Sequence, residues 1–130
     1  MPGTIAEIPS GVAETLLIPL YYRAIEAQRP DAMIKDEKAL ELIERLSSEG
    51  PVRYDSDWIK QTLMSEMNKV LRIMLTREMD RYARDFLSRR PDGVVVHFGC
   101  GLDTRFERVD NGRVLWFDLY PPNVMALKKN

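Results

Sequence analysis

Apolar residues in the first half of the chain recur at helical spacing. A first helix is predicted over residues 12–28, although Pro19 should kink or split it. A second helix is predicted over residues 37–47, with Asp36 as its N-cap and Gly50-Pro51 after its end. The apolar residues of this second helix share one stripe: Leu40, Ile43 and Leu46. The chain is therefore expected to begin with two helices that pack through apolar faces.

The strongest periodic pattern lies between residues 57 and 89, after a candidate cap at Asp55 or Ser56. Its apolar residues follow steps of three or four: Ile59, Leu63, Met67, Val70 and Met74, and then, on a rotated face, Leu75, Met79, Tyr82 and Phe86. A single helix over this segment would be roughly 50 Å long, which exceeds the diameter of a small domain. We therefore expect a break near residues 75–77. The methionines at 64, 67, 74 and 79 are expected to fill the core.

At residue 94 the helical pattern gives way to β-branched residues. Residues 94–98 (VVVHF) predict a short strand that is buried on both faces. A glycine loop follows at once, and a short helix is predicted from residue 103 to about residue 109. A second strand over residues 114–118 and a helix after Pro121-Pro122 complete the pattern. This order predicts the first β–α–β unit of a doubly wound, Rossmann-like α/β fold.

The predicted sheet has too few strands to stand alone. Two strands do not form a stable parallel sheet that buries both of its faces. Because the α/β pattern stops after one β–α–β unit, we expect the chain to be the front portion of a larger, apparently truncated domain. The predicted division is an N-terminal helical cap over residues 1–91 and the incomplete start of a Rossmann-like domain over residues 92–130.

Composition narrows the class of protein. A chain of 130 residues with 45% hydrophobic and 30% charged residues is typical of one soluble globular domain. The sequence has neither a membrane-spanning run nor the pattern of a secretory signal. A net charge of −1 disfavours a nucleic-acid partner, since phosphate contacts need a basic surplus. One cysteine, Cys100, gives no disulfide framework and no thiolate metal site, so a reducing cytoplasmic setting fits best.

The candidate chemistry lies where the first predicted strand ends. Gly99 and Gly101 let the backbone come close to a ligand, and this end of a doubly wound sheet is the usual nucleotide site. The nicotinamide and flavin fingerprint has a third glycine where this chain has Thr104. Asp118, 17 residues after Gly101, can accept both hydroxyls of a ribose. The pattern favours S-adenosylmethionine over NAD; the alternative is a tight turn, with Asp118 capping the next helix.

The string VVVHFGCGLDTR at residues 94–105, followed by Arg108 and LWFDLYPP, resembles the leucine carboxyl methyltransferase family. The similarity is closest to its branch of polyketide-type O-methyltransferases, which residues 12–26 (VAETLLIPLYYRAIE) also resemble. The resemblance implies the class I S-adenosylmethionine-dependent fold with extra N-terminal helices. It also implies methyl transfer to a carboxylate or hydroxyl of a small-molecule, polyketide-like acceptor. We expect weak or absent activity from this chain alone, with any catalytic base beyond residue 130.

The resemblance also implies which residues bind the cofactor. In the loop and after the second strand they are Gly99, Cys100 (through its backbone), Gly101, Asp118 and Leu119. Arg77 matches an arginine that binds the methionine carboxylate in the family, as a guanidinium does with two parallel hydrogen bonds; the alternative is a solvated helix charge. Arg23 and Tyr22 lie in the segment that covers the cofactor and acceptor in the family, although plain packing is the alternative for Tyr22. No catalytic residue is assigned.

The remaining polar residues of this region are expected to have structural roles. Asp103, Thr104 and Arg105 should shape the loop and cap its helix, and His97 should be a hydrogen-bonded core residue and neither base nor ligand. Two other functions stay open. One is another Rossmann-type nucleotide-binding enzyme, and the other is a non-catalytic helical module whose long helix mediates oligomerisation. The sequence leaves open whether the protein is a homo-oligomer.

Overall fold

The computed structural model describes residues 10–49 and 66–129. In these ranges the helices are α1 (Ser10–Ala27), α2 (Glu37–Glu49), α3 (Glu66–Arg89), α4 (Arg105–Val109) and α5 (Pro122–Lys129), and the strands are β1 (Val94–Phe98) and β2 (Leu115–Leu119). The predicted order, helices first and then strand, helix, strand and helix, is confirmed. The predictions for Gly50-Pro51, for the cap at Asp55 or Ser56, and for Ile59, Leu63 and Met64 lie outside the described residues.

The two strands form a small parallel sheet. They pair in register from Val94 opposite Leu115 to Phe98 opposite Leu119. Because α4 lies between them in the chain, β1, α4 and β2 make one parallel β–α–β unit. The fold is thus a mixed α/β arrangement in which both strands deliver the chain to the same end of the sheet.

The first two helices pack against each other as the sequence predicts. Asp36 Oδ1 accepts a hydrogen bond of 3.0 Å from the backbone N–H of Ala39, which confirms Asp36 as the N-cap of α2. Helix α1 continues through Pro19 without a split. The predicted stripe of α2 lies in or against the main core, whose buried residues are Leu17, Leu20, Ala24, Ala39, Leu42, Leu46, Leu102, Val124 and Leu127. This core therefore joins α1 and α2 to the glycine loop and to α5.

Helix α3 differs from its prediction in two respects. It runs without interruption through residues 75–77, so the predicted break is wrong; the described part of the helix contains neither glycine nor proline to cause one. It also turns another side inward than its apolar pattern predicts. The buried residues are Ile73, Asp80 and Leu87, whereas most of the predicted stripe is exposed: Met67, Met74, Leu75, Met79, Tyr82 and Phe86. The prediction that these methionines fill the core is wrong for Met67, Met74 and Met79.

The sheet buries only one of its faces, and that face only in part. Val95, His97, Trp116 and Asp118 point to the partly buried face. The opposite face is exposed and consists of large apolar residues: Val94, Val96, Phe98, Leu115, Phe117 and Leu119. The prediction that β1 is buried on both faces is therefore wrong, because in the described part of the chain no helix covers this second face. None of the described helices has the length and apolar character needed to cross a membrane.

Candidate functional site

The glycine loop after β1 has two glycines in the left-handed region, and each has a different reason to be glycine. Gly99 has φ +64°, and a Cβ built there would meet nothing within 4 Å. Gly101 has φ +52°, and a Cβ there would lie 2.8 Å from Leu16 Cδ2 of α1. Gly101 thus permits the close approach of the loop to α1, while the backbone at Gly99 faces open space.

The rest of the loop is anchored on its inner side. Cys100 is buried, and its Sγ lies 3.8 Å from Met125 Sδ of α5. Burial raises the pKa of the Cys100 thiol, which therefore stays protonated at neutral pH. Leu102 is a core residue, and its carbonyl oxygen accepts a hydrogen bond of 3.0 Å from Arg23 Nη2. These contacts hold the loop at Cys100 and Leu102, and they therefore fix the position of the backbone at the neighbouring Gly99.

Asp118 lies on β2 directly opposite His97, and its carboxylate is surrounded by donors. Oδ1 accepts from His97 Nδ1 at 3.2 Å and from Trp116 Nε1 at 2.8 Å, and Oδ2 accepts from Lys128 Nζ at 2.5 Å. Burial raises the pKa of this carboxyl, but the hydrogen bonds and the Lys128 charge outweigh burial and hold the pKa well below its usual range. Asp118 is therefore ionised, and in the described residues its bonds go to side chains, not to the start of α5 as a cap would require.

His97 is the hydrogen-bonded residue that the sequence predicts. Its Nε2 lies 3.0 Å from Arg105 Nη1, and its Nδ1 faces Asp118. An arginine only donates, so Nε2 accepts; an ionised carboxylate only accepts, so Nδ1 carries the proton. The surroundings thus assign the donor role to Nδ1 and the acceptor role to Nε2.

A cluster of buried ion pairs joins this loop to the helices that precede it, and Arg108 of α4 lies at its centre. Its guanidinium is 2.8 Å from Asp36, 2.6 and 2.9 Å from the two oxygens of Asp80, and 3.1 Å from Asp103. Burial lowers the pKa of Arg108, but these carboxylates outweigh it and raise the pKa above its usual range. One side chain therefore connects the N-terminus of α2, the middle of α3 and the loop.

Thr104 and Asp103 also belong to this cluster. Thr104 occupies the N-cap position of α4 but makes no side-chain cap; its hydroxyl instead lies 2.7 and 2.6 Å from the two oxygens of Asp36. Thr104 therefore occupies the cap position that the sequence predicts, but its oxygen accepts from Arg108 Nη1 at 2.9 Å and not from a backbone N–H of α4. Asp103 pairs with Arg105 at 3.2 Å as well as with Arg108. Burial raises the pKa of Asp103, and the nearby arginines lower it by more.

The two N-terminal candidates are both buried in α1. Arg23 is 4% exposed and donates through Nε to Asp36 Oδ2 at 3.0 Å and through Nη2 to the Leu102 carbonyl oxygen. It thus contacts the loop directly. Tyr22 is 1% exposed and packs with Ile34 and Ile73, and within the described residues its hydroxyl has no hydrogen-bond partner. The packing alternative for Tyr22 is the one that the structure supports.

The remaining candidates lie at different distances from the loop. Leu119 follows Asp118 and is exposed, and its carbonyl oxygen accepts from the Gly99 N–H at 3.0 Å. Arg77 is exposed on α3, one turn before Asp80, and its side chain forms no hydrogen bond or ion pair among the described residues. The structure therefore gathers the loop, Asp118 and Leu119 at the carboxyl end of the sheet. The side chain of Arg77 has no described contact with them.

Sequence reasoning missed two members of this region. Lys128 lies ten residues after Asp118 in α5, and no motif marks it. Asp80 could have been noticed as an acidic residue midway between Ile73 and Leu87, at steps of seven along one helix face. The site as a whole offers an accessible backbone at Gly99 and, on the neighbouring strand, an ionised acceptor at Asp118. Among the described residues no group of three histidine, cysteine, aspartate or glutamate side chains is placed to hold a metal.

Comparison with known proteins identifies the family of this sequence. The family model described as leucine carboxyl methyltransferase matches residues 17–130. The chain is 37% identical over 120 residues to the "Tetracenomycin polyketide synthesis O-methyltransferase TcmP" of Streptomyces glaucescens. It is 29% identical over 127 residues to the "S-adenosyl-L-methionine-dependent methyltransferase dpfgK" of Gibberella zeae.

Each of these alignments covers 92% of this chain and 41% of the relative, so the chain spans about two fifths of the length of the curated relatives it matches. No solved structure matched the chain. The family match extends from within α1 through the ion-pair cluster and the glycine loop to α5. The chain therefore belongs to the leucine carboxyl methyltransferase family.

Proposed function

We propose that this chain is the S-adenosylmethionine-binding front part of an O-methyltransferase. In this proposal residues 1–91 form a helical cap, and residues 92–130 begin the Rossmann-like cofactor domain. The observation that carries it is the open space at Gly99, whose N–H bonds the Leu119 carbonyl, together with the ionised carboxylate of the preceding residue, Asp118. A ligand with a hydroxyl-bearing sugar fits this place, because its hydroxyls would donate to a group that only accepts.

The other residues divide into two roles. Asp118 would hold the ribose, and Leu119 would add exposed apolar surface beside it. Arg77, which has no hydrogen-bond partner in the described part of the chain, would bind the methionine carboxylate with its guanidinium. Arg23, Cys100 and Gly101 would act on the cofactor by holding the loop in place, since their own contacts are to the protein.

In methyl transfer, the main role of these residues would be to bind the cofactor. The cofactor supplies an activated methyl group when it is bound. The protein has to hold the cofactor and the acceptor oxygen in line, and proximity of that kind lowers the barrier strongly. A carboxylate acceptor needs no general base, whereas a hydroxyl does. We propose a small, polyketide-like acceptor because TcmP, by its name, acts in polyketide synthesis. We also propose that the enzyme works in the cytoplasm.

Calorimetric titration with S-adenosylhomocysteine tests the proposal, with NAD as the competing ligand. Saturable binding of S-adenosylhomocysteine and none of NAD is expected. Asp118→Asn and Arg77→Ala should each weaken binding at least about tenfold, since hydrogen bonds to charged groups are worth roughly 1.5–3 kcal/mol. Arg113→Ala is the matched control, because in the part of the chain that the structure describes Arg113 forms its ion pair with exposed Asp92 alone. Binding of NAD in place of S-adenosylhomocysteine would refute the proposal.

One observation favours a second candidate, a non-catalytic helical module. The exposed stripe of α3 and the exposed face of the sheet present large apolar side chains. Such a surface is typical of protein association. Sedimentation of the wild-type chain separates the two candidates: a stable homodimer with no affinity for S-adenosylhomocysteine would favour the module over the methyltransferase.

A further inference from the structure

The two oxygens of Asp118 have different surroundings. Oδ1 accepts from His97 and Trp116, which are short or rigid side chains on the two strands. Among the described residues, Oδ2 accepts from Lys128 alone, a long and flexible side chain near the end of α5. A carboxylate oxygen has about two lone-pair positions, so Oδ1 is filled by the protein, while Oδ2 keeps one position open. Lys128 can also leave Oδ2 at small cost, because its stem has several rotatable bonds.

The position of the proton on the His97 ring depends on the contact of this ring with Arg105. If Nε2 carried the proton, it would point at the Arg105 guanidinium, and two donors would face each other across 3.0 Å. The guanidinium therefore forces the proton onto Nδ1, which then donates to Asp118. His97 is 15% exposed, and its ring meets that of Trp116 edge-on with centroids 6.0 Å apart, so the ring has little room to turn.

Arg105 in turn is held from α3. Its Nε donates at 3.0 Å to Asp80 Oδ1, and its Nη2 lies 3.2 Å from Asp103 Oδ2. Asp80 is 2% exposed and would be a costly buried charge without its arginines. Arg105 has five donors in a rigid plane, so fixing Nε on Asp80 also fixes where Nη1 points.

We propose that Asp80, Arg105 and His97 are positioning residues that act in series on Asp118, so that its Oδ1 is held by the protein and its Oδ2 receives the ligand hydroxyl in place of Lys128. This inference rests on the proposed function, since it assigns the ribose contact to one atom of the same site. It adds that the helical cap, through α3, sets the geometry of a ligand group on β2.

Nitrogen-15 NMR of chain labelled at histidine tests, without any ligand, whether Arg105 sets the tautomer of His97. His97 is the single histidine of the sequence, so one pair of ring signals reports its tautomer. We expect Nδ1 protonated and Nε2 unprotonated in the wild type. Arg105→Gln should mix the two tautomers. A wild-type signal from the Nε2–H tautomer would overturn the proposal, whatever the chain binds.

Three variants test whether His97 positions the Asp118 carboxylate for the ligand. His97→Phe removes the donor to Asp118, so the carboxyl pKa of Asp118, read by carbon-13 NMR, should rise, and the Kd for S-adenosylhomocysteine should increase about tenfold. His97→Asn places an amide N–H near the position of Nδ1 and should restore both values in large part. Lys128→Met should leave the Kd the same or tighten it, because a competitor for Oδ2 is gone.

The outcomes separate this proposal from the broader function. If wild-type chain fails to bind S-adenosylhomocysteine, the proposed function fails for this chain, and the NMR measurements still decide the series. If His97→Phe and His97→Asn have equal affinity and equal Asp118 pKa values, His97 is only a packing residue and the proposal is wrong. If Lys128→Met weakens binding as much as Asp118→Asn, then Oδ2 is not the ligand-facing atom.

Discussion

Replacing Arg108 with methionine should destabilise the fold more than any other single substitution at the described ion pairs. Methionine keeps most of the apolar stem and removes the guanidinium, whose five hydrogen bonds go to Asp36, Asp80, Asp103 and Thr104. The loss falls unequally on the buried acids. Asp36 keeps Arg23, Thr104 and its own N-cap bond, whereas within the described ranges Asp80 keeps Arg105 alone.

The magnitude follows from leaving Asp80 at 2% exposure with one partner. Removing one member of a buried ion pair typically costs about 3–5 kcal/mol, because the other charge stays buried without compensation. Small domains have a total stability of about 5–15 kcal/mol, so the variant should unfold at markedly lower urea concentration. Urea titration followed by far-ultraviolet circular dichroism measures this. Arg113→Met, the same change in the exposed pair with Asp92, should leave the midpoint unchanged.

A double substitution distinguishes the cost of an uncompensated buried charge from a general disruption of the fold. If the cost arises from an uncompensated charge on Asp80, then Asp80→Asn combined with Arg108→Met should be more stable than Arg108→Met alone, since an amide is cheaper to bury than a carboxylate. A loss below about 1 kcal/mol for Arg108→Met would refute the buried-pair argument, for that is the value of an exposed pair. A double variant less stable than the single one would refute the assignment to Asp80.

Three further predictions concern pH, the thiol and the loop. The pKa values of Asp103 and Asp118 lie below the ordinary aspartate value of about 3.9, so the stability they supply is present above that pH and is lost in acid. The urea concentration at the unfolding midpoint should therefore decrease as the pH is lowered from about 5. A midpoint that stays unchanged down to about pH 3 would contradict this. Cys100 should react with a maleimide far more slowly in native chain than in urea, since it is buried and its pKa is raised; equal rates would contradict its burial. Gly99→Ala should cost about 1–2 kcal/mol for its left-handed backbone and also weaken S-adenosylhomocysteine binding. Gly101→Ala should cost more stability, because its Cβ meets α1; equal thermal midpoints for the two variants would count against this packing.

The features that sequence analysis predicted correctly depend on neighbours in the chain. The cap at Asp36 involves residues three apart, and the strand, loop, helix and strand order follows from local texture. The side of α3 that turns inward could not be predicted, because it depends on partners such as Arg108, 28 residues from Asp80. The exposed sheet face could not be predicted either, since the β-branched pattern is the same whether or not another element covers it. The site residues themselves stay predictions until a ligand is measured.

The contacts also explain why a short string carries so much of the family resemblance. In Gly-Leu-Asp-Thr-Arg, Gly101 touches α1, and Leu102 enters the main core and accepts from Arg23. Thr104 binds the N-cap of α2, and Arg105 binds Asp80 of α3. Each of these four residues contacts a helix that precedes the sheet, whereas a Cβ at Gly99, two residues before the string, would meet nothing within 4 Å.

The string is therefore an interface between helices α1–α3 and the loop, and in the proposed function most of its residues would act on a ligand only through the backbone they hold. A grafting experiment follows from this argument. Residues 99–108 placed in a Rossmann-like domain without α1–α3 would leave Thr104, Arg105 and Arg108 without their buried acids Asp36 and Asp80. Such a graft should bind S-adenosylhomocysteine no better than its host. A graft that binds as tightly as a protein with the cap would show that the loop alone suffices, and that the cap helices do not set its geometry.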